Sequence, residues 1–332
     1  MASARVIDIS AALILDRDCT TEGLSWSIIS SSSSTSNLAA ILAGLMVTAI
    51  AVMFVERSGE TPRHTLGLFA SGVVVLGLDS YLFSSISGRR PPMTDSHLTM
   101  MDAHVDVNGG GLAVCRAVWA QAMPAYGMLA AGSVALVGGI SWMLTHYATK
   151  STGQQPNWFL PFLGGLLTFI VTTGTTALVA QISVDYVNVT RLTPESQGVP
   201  AAPTWFPWVM GALVLGVMVL ALAAVFVRTA GMLGVVLTTP RDGDVPAEAR
   251  LRLIPLAAVL TALLALLGPT FAGLLVQRGV DDQSPFVVGT AFTLGVVVPV
   301  TISLCICYSV PGYGLAECGD ALRRFARRRP RQ

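Results

Sequence analysis

Seven long stretches of this chain carry almost no charge, and each approaches or exceeds the roughly 20 residues that a helix needs to cross a bilayer. Asp79 is the single ionisable acid or base within them. The chain is 53% hydrophobic and 12% charged, whereas a soluble domain carries about twice that charge. These features predict an all-α, polytopic transmembrane helix bundle. The predicted spans, numbered 1 to 7, are residues 38–55, 66–86, 117–144, 158–184, 206–227, 253–276 and 286–310.

The segments outside these spans are too short to build a sizeable soluble core. We therefore divide the chain into a polar N-terminal tail (1–37), a seven-helix transmembrane domain (38–310) and a basic C-terminal tail (311–332). Residues 30–36 are six serines and one threonine, a composition that is typical of a flexible low-complexity spacer.

The basic C-terminal tail indicates the orientation. Six arginines within about 20 residues of a span end favour a cytoplasmic location, which puts the N-terminus outside. We expect a multi-pass protein of the cell membrane, of the bacterial cytoplasmic type. The tail is also a candidate site for anionic lipid or an acidic partner, while the net charge of +1 gives no reason to expect nucleic-acid binding. The tail arginines are Arg323, Arg324, Arg327, Arg328, Arg329 and Arg331.

Small residues in the spans predict where helices approach closely, because helices in lipid associate through packing rather than hydrophobicity. Pro269, next to Gly268, and Pro299 lie deep enough to kink their helices and free backbone carbonyls. Span 4 carries threonines on one face, which either bond helices together or line a polar path; we favour the first. The small residues are Ala131, Gly132, Ala135, Gly138, Gly139, Gly164, Gly165, Gly289 and Gly295, and the threonines are Thr168, Thr172, Thr175 and Thr176.

Asp79 is the strongest candidate for chemistry, because an acid near the middle of a span is costly to bury and should face the bundle interior. Its neighbours on its own helix face are apolar, so a partner must come from another helix. This position suits a proton or cation site, and the alternative is a structural hydrogen bond between helices. The partners predicted from depth are Tyr126 on span 3, Thr175 or Thr176 on span 4, Gln121 one turn shallower, and Arg116 from the interface.

Two further groups fall on the predicted outer side. The loop between spans 2 and 3 holds His97, Asp102, His104 and Asp106, a donor set that a divalent metal could use, although the spacing matches no zinc signature. Cys19 and Cys115 are candidates for a disulfide, because disulfides persist outside the cytoplasm.

No motif in the chain identifies a reaction, and we expect neither enzymatic activity nor a cofactor. A retinal protein is excluded because the single lysine, Lys150, lies outside the predicted spans. Two functions remain. The first is a membrane subunit, scaffold or binding protein, with Asp79 fully bonded in a filled bundle and with a homo-oligomer or another membrane protein as a partner. The second is a small transporter or channel that uses Asp79. The scarcity of polar residues at depth favours the first by a small margin.

Overall fold

The computed structural model describes residue 19 and residues 26–55, 63–90, 111–150, 159–190, 203–238, 253–278 and 284–309. Every regular element in these ranges is a helix. The elements are α1 (Ile28–Val55), α2 (Arg63–Ser87), α3 (Gly111–Lys150), α4 (Phe159–Thr190), α5 (Trp205–Thr238), α6 (Leu253–Arg278), α7 (Pro285–Phe292), a π-helical turn (Thr293–Val297) and α8 (Val298–Ser309).

Seven of the described segments are long and apolar enough to cross a membrane, and the seventh combines α7, the π turn and α8. This confirms the predicted multi-pass helix bundle. The segments correspond one to one with the seven predicted spans, with shifts at their ends.

The largest shift in where a span begins is at the first span, because α1 begins at Ile28 and the serine-rich residues 30–36 belong to it. The prediction of a flexible spacer is therefore wrong. Ser34 and Thr35 both donate hydrogen bonds to the Ser31 carbonyl oxygen, at 2.8 and 2.9 Å. Hydroxyls that bond carbonyls of their own helix are already satisfied, so a run of them is compatible with helix.

The third span, α3, lies at the centre of the bundle. It packs against α1, α2, α4, α6 and the seventh span, and 67% of its most apolar window is buried, against 17% for α1 and α5. Small residues make this possible, because a Cβ atom built on Gly132 or Gly139 would overlap a side chain of α2. The predicted contact faces on spans 3 and 4 are confirmed in this way. The prediction for Gly289 is wrong, since a Cβ there would meet no described heavy atom within 4 Å.

The seventh span is irregular just before Pro299, where a proline cannot donate its backbone hydrogen bond and the helix passes through the π turn. This turn lies directly against the backbone of α3. A Cβ atom built on Gly127 would lie 2.6 Å from the Leu294 carbonyl oxygen, and one on Gly295 would lie 2.7 Å from that of Met123. The two glycines therefore allow backbone to meet backbone. At Pro269, by contrast, α6 continues as one helix.

A disulfide joins Cys19 to Cys115, as the sequence predicts, and so ties the N-terminal segment to the first turns of α3. The indole Nε1 of Trp119 donates to the Cys19 carbonyl oxygen at 3.1 Å, and both residues are fully buried. Cys19 is thereby held against the first turns of α3.

Candidate functional site

Asp79 is fully buried, and neither of its carboxylate oxygens has a hydrogen-bond partner among the described residues. Such an arrangement is rare, because burying a carboxylate without a partner costs several kcal/mol or more. The sequence prediction that Asp79 faces the bundle interior is in accord with this burial. The structural alternative, a hydrogen bond from Asp79 to another helix, is not observed in the part of the chain that the structure describes.

The helix register places Asp79 opposite the middle of α3. On one side of it, a Cβ atom on Gly132 would overlap Leu76, and on the other side the ring of Phe83 packs edge-on against Tyr126 with centroids 4.8 Å apart. Asp79 lies between these two contacts and therefore at about the level of Leu129, which is midway between Tyr126 and Gly132 on α3.

Two other helices reach the same layer. A Cβ atom on Gly268 of α6 would lie 2.6 Å from the sulfur of Met128, so Pro269 is at this level too. Because proline has no N–H, the carbonyl of Ala265 loses its usual partner within α6. The π turn touches α3 one residue away, at Gly127. Pro269 of α6 and the π turn of the seventh span thus both lie near the depth of Asp79.

The polar surroundings of Asp79 come from α1 and α3. On α3, the Tyr126 ring packs against Phe83, which lies one turn along α2 from Asp79. On the adjacent residue of α2, the Ser80 carbonyl oxygen accepts a hydrogen bond of 2.8 Å from Ser36. Of the predicted partners, Tyr126 is therefore the one that the structure brings to Asp79.

The threonines of span 4 are not brought there. α4 packs mainly against α3, α5 and the seventh span rather than against α2. Thr175 and Thr176 donate to carbonyl oxygens of their own helix, at 2.8 and 2.7 Å. Thr168 likewise donates to its own helix, to the Gly164 carbonyl oxygen at 2.9 Å, and it also bonds the Ser141 hydroxyl of α3 at 2.7 Å. Thr168 therefore joins α4 to α3, the function that the sequence favours for this face, and neither Thr175 nor Thr176 bonds Asp79.

Gln121 and Arg116 also lie elsewhere. The Gln121 amide donates to the Ala272 carbonyl oxygen of α6 at 3.5 Å, which links α3 to α6 rather than to α2. Arg116 precedes the level of Met128 by 12 residues, or about 18 Å along the helix, which is more than an arginine side chain can reach.

Asp185 is a second buried acid, which the sequence reasoning missed because it placed the end of span 4 one residue earlier. The structure extends this span to Thr190, and the side chain of Asp185 is 3% exposed. Its carboxylate accepts hydrogen bonds from Trp26 Nε1 and Gln181 Nε2, each at 3.2 Å. The signal that could have found it is the apolar run around Val187 and Val189, which continues the helix past the acid.

The two acids are in opposite environments, connected by aromatic rings. The ring of Trp26 packs edge-on against Tyr126 and Trp119, with centroids 5.9 and 5.8 Å apart. Asp185 has two N–H donors, which suit an ionised carboxylate. Asp79 has no donor among the described residues, which suits the neutral carboxylic acid, because only the charged form carries the large cost of burial.

The remaining predicted site residues cannot be placed. His97, Asp102, His104 and Asp106 lie outside the described residues, as does the arginine tail. Within the described ranges, no group of three or more His, Cys, Asp or Glu side chains is arranged to hold a metal ion.

Comparison with known proteins finds no relative of this chain. No protein-family model, no curated protein and no solved structure matches the chain. The seven apolar helices make it a multi-pass membrane protein, and its function is argued from the site alone.

Proposed function

We propose that this protein is a small membrane transporter or channel in which Asp79 takes up and releases a proton, with a cation as the alternative occupant. One observation carries the proposal: a fully buried carboxyl group with no hydrogen-bond partner among the described residues. A side chain kept only for structure would be expected to use its oxygens in bonds between helices. A proton satisfies the charge of Asp79 and needs no additional space.

The neighbouring helices contribute no competing charge at this depth. Of the helices that pack against α2, α1 contains no ionisable residue, and α6 contains only Arg278, at its end. α3 contributes the Tyr126 phenol at the level of the site, while its charged residues lie toward its two ends. The protonation state of Asp79 would therefore control the charge of the whole layer.

A scaffold or subunit function remains the second candidate. The observation that favours it is the exposure of α1 and α5, whose apolar windows are only 17% buried within the bundle. These helices offer large faces to lipid or to another membrane protein. This function does not account for the unpartnered oxygens of Asp79.

The proposed orientation keeps the N-terminus outside the cell and the arginine tail in the cytoplasm. The disulfide between Cys19 and Cys115 supports it, because disulfides persist outside the cytoplasm. Cys305 and Cys307 lie at the opposite end of the bundle, in the last turns of α8, where Ile306 packs against Gly138. An impermeant amine reagent applied to intact cells should leave Lys150 unmodified, and modification there would reverse the orientation.

Proton flux into liposomes tests the function. The purified protein is reconstituted with a trapped pH-sensitive dye, a pH gradient is imposed, and potassium with valinomycin clamps the membrane potential. The wild type should carry flux above protein-free liposomes. The Asp79→Asn substitution conserves size but cannot take up a proton, so its flux should fall to the protein-free level.

The matched control is Tyr81→Phe, which alters an exposed side chain two residues along the same helix and should leave the flux unchanged. Wild-type flux equal to that of protein-free liposomes would overturn the proposal. So would an undiminished flux in Asp79→Asn.

A further inference from the structure

α1 presents small and polar residues on the face that points away from the bundle. The residues of its packed face recur every seven positions and are at most 4% exposed: Ser32, Ala39, Met46 and Met53. Five positions after each packed residue the helix has turned to roughly the opposite side. The exposed residues on that opposite side are Ser30, Asn37, Gly44 and Ala51, which we call the outer line of α1.

Contact with lipid does not account for this composition. α5 is as exposed as α1, since only 17% of its most apolar window is buried. Its outward residues at the same seven-residue spacing are Trp208, Leu215 and Leu222, which are 80%, 56% and 51% exposed. Large apolar side chains suit hydrocarbon, whereas small and polar residues are those through which membrane helices approach one another. The outer line of α1 therefore has the composition of a contact between helices.

Asn37 lies on this line at the depth of the lipid tails. The hydroxyl of Ser36, the preceding residue, donates to the Ser80 carbonyl oxygen at 2.8 Å. Because α1 and α2 are consecutive spans that run in opposite directions, Asn37 is level with Asp79. Asp79 is eight residues, or about 12 Å, from the end of α2. The 23-residue span of α2 exceeds the hydrocarbon thickness by only about 5 Å, so this level lies within the hydrocarbon.

The side-chain amide of Asn37 forms no hydrogen bond with any described residue. It has two N–H donors and an acceptor oxygen, and hydrocarbon can satisfy neither. Gly44, two turns along the same line, also has no use within the bundle, because a Cβ atom there would meet no described atom within 4 Å. Glycine nevertheless weakens a helix relative to alanine. Both residues are explained if another helix packs on the outer line.

We propose that a second copy of this chain packs on the outer line of α1, so that the protein forms a dimer joined by its two first helices. Two copies inserted in one membrane have the same orientation. A two-fold axis normal to the membrane then brings each residue of the line opposite itself at the same depth. Asn37 meets Asn37 of the second copy, and each amide donates to the carbonyl oxygen of the other.

Symmetry is the reason for choosing a second copy as the occupant. A different protein would need a polar group of its own at this depth, whereas a second copy supplies one at the correct depth automatically. Gly44 and Ala51 allow the two helix axes to approach, and a seven-residue repeat of such residues is the seam of two helices that cross at a small angle. Dimerisation of this kind does not involve Asp79, which is fully buried, and it goes beyond the proposed function.

Energy transfer between two separately labelled pools of the protein, reconstituted together in liposomes, measures association as the ratio of protein to lipid is raised. Transfer in the wild type should exceed that of randomly distributed molecules and should saturate. Asn37→Leu removes the amide at similar size and should weaken association by about tenfold, as expected for two hydrogen bonds between membrane helices. Gly44→Leu blocks the close approach and should abolish association.

The matched controls are two substitutions on α6. Thr270→Leu replaces an exposed polar residue, and Gly273→Leu replaces a glycine whose Cβ atom would likewise meet no described atom within 4 Å. Both should leave association unchanged. Circular dichroism and thermal unfolding in detergent show that all four variants are folded.

Cross-linking tests the symmetric arrangement. Ser30→Cys places a thiol at the start of the outer line, so mild oxidation should join two copies through it, while Phe286→Cys, at an exposed position at the start of α7, should not join them. Wild-type protein that remains monomeric at every density would overturn the proposal and leave the outer line to lipid or to a different protein. Association that is undiminished in Asn37→Leu would also overturn it, because the contact would then lie elsewhere.

Discussion

Because Gly127 lies against the π turn, we predict that Gly127→Ala destabilises the protein. In most helices a glycine-to-alanine substitution has the opposite effect. Alanine favours helix over glycine by about 1 kcal/mol. At Gly127, however, the new methyl group would lie 2.6 Å from the Leu294 carbonyl oxygen and 2.9 Å from the Gly295 Cα. Both obstacles are backbone atoms, so neither can rotate away, and α3 must separate from the seventh span.

The expected change in the free energy of unfolding is the difference between the cost of the clash and the gain in helix propensity. Overpacking of a well-filled interior costs about 1–3 kcal/mol, and a clash with backbone belongs at the upper end. After the gain in helix propensity, Gly127→Ala should lower the free energy of unfolding by about 2 kcal/mol. Gly289→Ala is the matched control on α7, because its methyl group would meet no described atom within 4 Å. It should be neutral or stabilising by up to about 1 kcal/mol.

Equilibrium unfolding in mixed micelles, followed by tryptophan fluorescence as the denaturing detergent is increased, measures both variants. The difference between them should be about 2–3 kcal/mol, from the sum of the two effects. Equal stability of Gly127→Ala and Gly289→Ala would refute the close approach of the π turn to α3, and with it the register that places the π turn in the layer of Asp79.

Two further predictions concern the segment before α1. The disulfide between Cys19 and Cys115 closes a loop of 96 residues, so its reduction should lower the free energy of unfolding by about 4–5 kcal/mol from the entropy of that loop. A reduced protein that unfolds at the same detergent concentration as the oxidised one would contradict this. Trp26→Phe keeps an aromatic ring but removes the N–H donor to Asp185, so it should cost about 1.5–3 kcal/mol, as for other hydrogen bonds to charged groups. An unchanged unfolding midpoint would show that this bond is unimportant.

The spans were predictable because a bilayer imposes the same requirement on every helix that crosses it, and about 20 uncharged residues in a row meet it. The disulfide followed from the predicted side of the membrane, and the close contacts of α3 followed from its glycines and alanines. Hydrophobicity, a thiol group and a small side chain are properties of a residue that do not depend on its neighbours in the fold. The exception at Gly289 shows the limit, because a small side chain allows a close approach but does not cause one.

The start of α1 was mistaken because composition alone does not distinguish a serine-rich helix from a spacer. Each hydroxyl has to find a carbonyl of its own helix or a neighbour such as Ser80, and only packing decides which. Asp185 was missed for a related reason. An acid one residue beyond an apolar run is ordinary at a membrane surface, and only the position of Trp26 shows that it is buried.

The amino-acid sequence by itself determined that this is a bundle of membrane-crossing helices with a lone acid, Asp79, deep in the second, because hydrophobicity is a local property that is summed along the chain. Which groups surround that acid was decided by the tertiary structure. Depth along a helix leaves the rotation and the neighbours of that helix open, so Tyr126 and Thr175 were equal candidates by depth. The packing of α2 against α1, α3 and α6 brought Tyr126 into the layer of the site and Ser36 to the neighbouring Ser80, and it kept the threonines of α4 away.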